Sequence, residues 1–228
     1  MTTSSMAAKQ TSKTVECSGS VLDELRLTAQ TTPALARRLG WDYLRELGGA
    51  GRLDQLGELF ANGLAPDRPH GAMEGLIVGK LFGIPEAYLA NPLMKIDPTW
   101  RGKTFDVASG TGFNRLSPLG RFSLRAVAPL YTGLRRVGNE TIGFKFRHRI
   151  DTAAIAPHIQ VRALDYGVAE YRNPSVRTFP IKRTRDEVVE LTPGLYLGRA
   201  LLTLPSGEVR LIAYFGLREF SDEKAARA

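Results

Sequence analysis

Cysteine, histidine and long apolar runs are scarce in this sequence, and each shortage excludes a class of protein. The single cysteine, Cys17, cannot form an internal disulfide, so the fold has to be held together by packing. No segment approaches the roughly 20 consecutive apolar residues of a membrane-spanning helix, which excludes a helical membrane protein. The first 20 residues lack the apolar stretch of a signal peptide and are rich in Ser, Thr and Lys. We therefore expect residues 1–20 to form a disordered tail on a cytoplasmic protein.

Recognisable catalytic and cofactor motifs are also missing. The three histidines, His70, His148 and His158, have no cysteine or carboxylate at the spacing of zinc ligands. The sequence contains no nucleophile-elbow serine and no phosphate-binding P-loop. Residues 105–114, FDVASGTGFN, resemble a nucleotide-binding loop, but they lack the buried strand before it and the helix after it that such a loop requires. We interpret them as a glycine-rich turn, and the sequence predicts neither a metal nor a cofactor.

The charge of the chain is positive and unevenly distributed. The formal net charge is +8, and residues 1–64 contain seven basic and seven acidic residues, so the whole excess lies in residues 65–228. Such a basic region can attract nucleic acid, an anionic membrane or an acidic small molecule. However, Lys145, Arg147 and Arg149 alternate with apolar residues, which is typical of the solvated face of a sheet. We therefore do not expect specific nucleic-acid binding.

The apolar pattern divides the chain into a helical region and a β region. Residues 21–64 contain apolar residues at helical spacing, interrupted by Gly and Pro, and predict two or three short helices that cover a sheet or close one end of a barrel. Residues 65–222 comprise a loop-rich segment followed by alternating strands, and residues 223–228 form a second tail. Six or more antiparallel strands after a helical region predict an α+β, mainly β protein: a calycin-like antiparallel barrel with an N-terminal helical cap.

The terminal hairpin, Leu195 to Leu217, carries the clearest β pattern. Counting outward from its turn at residues 205–208 pairs Tyr196 with Leu217, Gly198 with Phe215, and Leu202 with Leu211. This register gives one unbroken apolar face, while Arg199 and Tyr214 lie together on the other face.

Two polar residues are predicted to lie on the apolar sides of their strands, which face the barrel cavity. Strand alternation places His148 beside Phe144 and Phe146, and it places Asp165 on the same side as Val161. Because burial would perturb both groups, His148 and Asp165 are candidates for a catalytic acid–base pair. The alternative is that His148 is a satisfied core histidine and Asp165 caps the turn that follows it.

The same strands supply candidate ligand contacts. Aromatic rings give a cavity apolar area, and a phenol adds one donor that can orient a ligand. Arg199, with Tyr214 beside it, could hold a carboxylate or phosphate if their face lines the cavity, although exposure of that face to water is the other interpretation. The predicted ligand-binding residues are Phe144, Phe146, Tyr166, Tyr196, Arg199, Tyr214 and Phe215.

Several segments between Trp100 and Glu219 resemble segments of a known class of β-barrel proteins. WRGKTFD with the following GFN, DYG with YRNP, and RDEVVELTPGLYLGRALL resemble lipocalin-like or calycin-like barrels of uncharacterised bacterial proteins. The resemblance implies binding of a hydrophobic small molecule, and some barrels of this class act as cofactor-free cyclases or isomerases. The chain differs from secreted lipocalins because it lacks paired cysteines and has a helical N-terminal region.

Three functions follow from these observations. The first is binding of a hydrophobic small molecule, neutral or acidic, in the barrel cavity. The alternative is a cofactor-independent enzyme of cyclase or isomerase type that uses an acid–base pair in that cavity. The third, a basic module for nucleic acid or a membrane surface, would bind with an affinity that falls steeply with salt. The sequence leaves the oligomeric state open.

Overall fold

Three helices and nine strands form the part of the chain that the computed structural model describes, residues 18–82, 99–118, 124–125, 128–175 and 180–220. The helices are α1 (Ser18–Thr31), α2 (Pro33–Ala50) and α3 (Leu53–Ala61). The strands are β1 (Gly71–Val78), β2 (Trp100–Asp106), β3 (Thr111–Leu116), β4 (Arg135–Val137), β5 (Glu140–Ala153), β6 (Ala156–Asp165), β7 (Thr184–Thr192), β8 (Leu195–Thr203) and β9 (Val209–Glu219). Two single turns of 3₁₀ helix lie at Ala169–Tyr171 and Ile181–Arg183.

Eight of the strands close into an antiparallel barrel. Their order is β3-β2-β1-β9-β8-β7-β6-β5, and pairing between β3 and β5 closes the ring, while the short β4 adds to the edge of β5. Successive barrel strands along the chain are neighbours in the sheet, so this is the up-and-down barrel architecture of lipocalins. The protein is a lipocalin-like, calycin-type barrel, as the sequence patterns predicted.

The helices cover one outer wall of the barrel. Trp41 and Leu44 of α2 and Phe60 of α3 pack with Val189 and Leu197, which point outward from β7 and β8. Pro33 begins α2 with a preset φ, and Gly51 ends it in the left-handed conformation at φ 69°. Of the two uses predicted for the helices, covering a sheet is the one observed. Helix α1 begins at Ser18, so the end of the predicted 1–20 tail is helical; residues 1–17 and 221–228 lie outside the described residues.

The terminal hairpin has the predicted register in the half that lies away from its turn. Tyr196 pairs with Leu217 and Gly198 with Phe215, as expected. Beyond Ala200 a β-bulge shifts the register by one residue, so Leu202 pairs with Arg210 and not with Leu211. The prediction for that outer pair was wrong because counting from the turn assumes an unbroken ladder.

Candidate functional site

The interior of the barrel is lined mainly by aromatic and aliphatic side chains. Eight strands contribute to one continuous apolar cluster, which is the core that the closed barrel encloses. Its buried members are Met73, Phe105, Leu116, Leu124, Phe144, Phe146, Leu164, Tyr166, Val188, Tyr196, Phe215 and Leu217. A charged residue in such surroundings needs a specific reason to be there.

Lys103 is that charged residue. It points inward from β2 and is 2% exposed. Its Nζ donates hydrogen bonds to Asn114 Oδ1 at 2.8 Å, Tyr166 Oη at 2.7 Å and Asp186 Oδ2 at 2.7 Å. These three bonds use every donor of the ammonium group. Burial lowers the pKa of Lys103, and the Asp186 carboxylate acts in the opposite direction.

The partners of Lys103 are also bonded to one another. Tyr166 donates its hydroxyl hydrogen to Asp186 at 2.8 Å and accepts from Asn114 Nδ2 at 3.0 Å. Trp100 Nε1 donates to Asn114 Oδ1 at 2.9 Å. Burial, together with the nearby Asp186 charge, raises the pKa of Tyr166 well above its usual value, so this phenol stays protonated. We call Lys103, Asn114, Tyr166 and Asp186 the interior network.

Aromatic rings enclose the network, and glycines make room for them. Lys103 Nζ lies 5.1–5.5 Å from the ring centres of Trp100, Phe146, Tyr166 and Phe215, within the range of a cation–π interaction. Three of these rings occupy the space that a side chain would fill on a neighbouring strand. A Cβ on Gly75, Gly112 or Gly198 would overlap the ring of Trp100, Phe146 or Phe215 respectively.

Backbone strain lies next to the network. Phe144 has a φ of 50°, in the left-handed region that bulky residues rarely adopt. The Phe144 ring stacks on Tyr131 at a centroid distance of 5.0 Å, and its N–H donates to Tyr131 Oη at 2.7 Å. Its carbonyl accepts from Asn114 Nδ2 at 3.3 Å. Strain of this kind costs about 1–3 kcal/mol per residue and is concentrated at functional sites in proteins.

A second polar pair lies further along the inner face of β5. His148 is 5% exposed, its ring is 5.4 Å from that of Phe105, and its Nδ1 is 2.9 Å from Arg162 Nη1. Arg162 also donates to the backbone carbonyls of Pro66 and Asp67. Burial lowers the pKa of His148, the Arg162 charge lowers it further, and the nearby Asp106 and Thr111 carbonyls oppose the shift. The ring is therefore neutral near pH 7.

The structure does not bring His148 and Asp165 together. His148 pairs with Leu164 across β5 and β6, so Asp165 points to the outside, opposite Arg147. There Asp165 Oδ1 accepts from the Gly167 N–H at 2.7 Å, which is the turn-capping alternative. The prediction that they share a face was wrong because Val161, which set the parity, packs against the helices and not into the barrel interior.

The predicted ligand-binding residues divide between the two faces of the sheet. Phe144, Phe146, Tyr166, Tyr196 and Phe215 line the interior. Tyr214 and Arg199 lie on the outer wall beneath the helices, where the Arg199 guanidinium is 4.2 Å from the ring centre of Phe60 and its Nη2 is 2.8 Å from Glu187 Oε2. Their face is therefore covered by helices, which neither interpretation of the sequence included.

Three members of the network, Lys103, Asn114 and Asp186, are not among the site residues predicted from the sequence. Lys103 and Asp186 have the same strand parity as the inward-facing Phe105 and Val188, and that alternation was the available signal. Asn114 pairs with Lys103 across β2 and β3, but only the observed register reveals this.

A groove on the outside of the barrel is separate from this network. It has a volume of about 1050 Å³ and crosses the outer face of β1, β2 and β3, where Ala72, Thr104 and Phe113 are among the residues that line it. Arg115 and Glu140 at its side neutralise each other through two hydrogen bonds of 2.6 and 2.7 Å. None of the four network residues lines the groove.

Comparison with known proteins yields a fold likeness alone. No protein-family model matches the chain, and no curated protein matches it. Two similar solved structures are of bovine odorant binding protein. The complex with a selenium-containing odorant is 13% identical, with a TM-score of 0.31, and the match covers 72% of this chain and 80% of that one. The complex with the natural ligand is 12% identical, with a TM-score of 0.25, and the match covers 56% and 59%. Likeness at this level carries no argument about function.

Within the described residues, no helix is long and apolar enough to cross a membrane. In the same part of the chain, no three His, Cys, Asp or Glu side chains are grouped as a metal site would require.

Proposed function

We propose that this protein binds a small apolar molecule inside the barrel, with the interior network providing the polar contacts that orient it. The observation that carries the proposal is the Lys103–Asp186 ion pair, with an N–O distance of 2.7 Å and less than 10% exposure of either side chain. Burying such a pair costs several kcal/mol of desolvation, and replacing it by apolar residues is often neutral or stabilising. Its presence amid aromatic rings is therefore better explained by recognition of a ligand than by stability.

The composition of the interior indicates the kind of molecule. Aromatic rings supply apolar contact area, and a few convergent polar groups supply orientation, which is the usual make-up of a small-molecule site. Because Lys103 and Asp186 neutralise each other and the network's donors are used within it, the network suits a neutral hydroxyl group, which can donate to the Asp186 carboxylate, better than a charged group.

A second candidate function is cofactor-independent catalysis of cyclase or isomerase type. It is favoured by the contact of Tyr166 Oη with both Lys103 Nζ and Asp186 Oδ2, at 2.7 and 2.8 Å. Lys103, whose pKa is lowered by burial, can give a proton to a bound substrate and recover it, while Tyr166 stays protonated and holds the amine beside the carboxylate. The acid–base residues in that case would be Lys103 and Asp186, positioned by Tyr166, replacing the pair predicted from the sequence.

Binding can be tested by mass spectrometry under native and denaturing conditions. We expect the purified protein to carry a small molecule in its native mass that is lost on denaturation. Lys103→Met should reduce the bound fraction, whereas Lys182→Met, at an exposed site, should not. Equal bound fractions in both variants would contradict a role for the network. Incubating the released molecule with fresh protein and analysing the products would then separate binding from catalysis.

Fluorescence provides an independent readout, because the two tryptophans lie on different faces. Trp100 contacts the network, whereas Trp41 packs beneath the helices on the outer wall. In a Trp41→Phe variant, Trp100 is the remaining tryptophan, and binding of a ligand in the interior should change its emission. If a molecule that binds by native mass spectrometry leaves Trp100 emission unchanged, it binds elsewhere.

A further inference from the structure

The connections at one end of the barrel contain most of the net positive charge of the chain. Alternate connections of an up-and-down antiparallel barrel lie at the same end. The connections at one end, which we call the basic end, are residues 79–99, 117–139 with β4, 166–183 and 204–208. The segments at the other end are residues 62–70, 107–110, 154–155 and 193–194. By sequence, the first group has ten basic and four acidic residues and the second has one of each.

The described cations of the basic end are mostly exposed and unpaired. They are Lys80, Arg125, Arg135, Arg136, Arg172, Lys182 and Arg183. None of them has a carboxylate oxygen within 4.0 Å among the described residues, and all except the half-buried Arg183 are exposed. Their charge is therefore available to an anionic partner.

The carboxylates of the basic end do not balance these cations. Glu140, Glu208 and Asp186 are each paired with a Lys or Arg side chain at 2.6–2.7 Å. Glu170 and Asp165 are the described carboxylates without such a pair in these connections and at the adjoining strand ends. Unpaired basic groups outnumber unpaired carboxylates there by seven to two, so the field of this end is positive.

The basic end also exposes apolar side chains. Leu130 is 93% exposed, the largest value among the large apolar residues of the described chain, and Val137 is 56% exposed. At a membrane surface, apolar groups enter the headgroup boundary while Lys and Arg attract anionic lipid. We infer that the basic end of the barrel docks on an anionic lipid surface.

The aromatic rings of this end favour lipid over single-stranded nucleic acid. Proteins that bind single strands without sequence preference use exposed rings on which the bases stack. Here Tyr131 is stacked on Phe144 at 5.0 Å, and Lys145 Nζ lies 4.9 Å from the ring centre of Tyr171. Both rings therefore have a face occupied within the protein, and an exposed leucine gains nothing from contact with phosphates.

The interior network lies toward the basic end. Tyr166 is the first residue of the connection 166–183, and Trp100, which donates to Asn114, begins β2 directly after residues 79–99. Docking through this end would place that part of the interior next to the membrane, where apolar molecules accumulate. The inference does not depend on the proposed function, because surface binding and interior binding are measured separately.

Co-sedimentation with vesicles tests the inference. The full chain would be mixed with vesicles of phosphatidylcholine alone and with vesicles that also contain about 30 mol% phosphatidylglycerol. We expect a partition coefficient at least about tenfold higher for the anionic vesicles, falling as NaCl is raised from about 50 to about 500 mM. Arg135→Gln/Lys182→Gln should lower it about tenfold or more. Arg38→Gln/Arg68→Gln, which removes the same charge from exposed sites away from this end, should change it less than about twofold.

An apolar substitution separates a lipid surface from other polyanions. Leu130→Ser keeps the charge and should weaken binding to the anionic vesicles about threefold or more, whereas Leu27→Ser, at a 66% exposed position on α1, should not. Equal partition into neutral and anionic vesicles, or equal losses in the two double variants, would overturn the inference. Unchanged binding by Leu130→Ser would overturn it too and indicate a polyanion such as nucleic acid, and a DNA duplex should then displace the vesicles. In each case the mass-spectrometric test of interior binding stands on its own.

Discussion

Removing one partner of the buried Lys103–Asp186 ion pair should strongly lower the free energy of unfolding of the protein. Lys103→Met leaves the Asp186 carboxylate in an apolar interior with one remaining donor, the Tyr166 hydroxyl. Asp186→Asn leaves the buried Lys103 ammonium group without its counter-ion. Breaking a buried ion pair in this way costs about 3–5 kcal/mol, because the remaining charge stays desolvated.

The double variant Lys103→Met/Asp186→Asn should cost less than the sum of the two single changes. It removes both charges, so neither is left unpaired, and we expect a coupling free energy of about 2–3 kcal/mol. Urea unfolding followed by circular dichroism at neutral pH would measure all four corners of the cycle. The exposed pair Glu208–Arg210 is the matched control, and its cycle should show less than about 1 kcal/mol.

Two results would refute this reasoning. If the destabilisations of the two single variants sum to that of the double variant within about 0.5 kcal/mol, Lys103 and Asp186 act independently. A Lys103→Met variant as stable as the unmodified protein would mean that Asp186 needs no cation in the folded state. In either case the electrostatic argument for the interior network would fail.

Three further changes test other parts of the structure by the free energy of unfolding. Glu187→Gln should cost about 3–5 kcal/mol, because it leaves a buried guanidinium beneath the helices without its carboxylate. Burial lowers the pKa of His148, so the unfolded chain binds more protons below about pH 6.5; stability should fall there on acidification, and less steeply in His148→Phe. Gly198→Ala should cost about 1–3 kcal/mol by overlapping the Phe215 ring, whereas Gly49→Ala, on helix α2 with open space around it, should be neutral or stabilising by about 1 kcal/mol. Equal effects of these two glycine changes would contradict the packing described for the barrel interior.

Alternation along single strands was enough to predict much of the barrel. On β5 it placed Phe144, Phe146 and His148 on the inner face, because the outer face there is basic and reaches solvent at Arg147 and Arg149. The same reasoning failed on β6, where Leu164 and Val161 are both buried, one by the interior and one by the helices. When both faces are apolar, period-two patterning no longer tells inside from outside.

The interior network depends on information that local patterns do not contain. Lys103 and Asp186 are 83 positions apart, and their contact depends on the order in which eight strands close. Strand β7 carries Arg185 and Glu187 on one face and Asp186 on the other, and charges on both faces of a strand do not by themselves distinguish a buried carboxylate from a solvated one. The cytoplasmic location expected from the N-terminal sequence stays a prediction.

The glycine that makes room for Phe215 couples two positions on neighbouring strands. Gly198 can gain a side chain only if Phe215 loses volume, whereas Gly112 and Gly75 are also restricted by the backbone of Thr104 and Gly102. In related sequences positions 198 and 215 should therefore covary, with their total volume conserved. Swapping such a pair would move a ring to the opposite strand and change the shape of the interior while leaving its packing density unchanged, which offers a route to altered ligand selectivity.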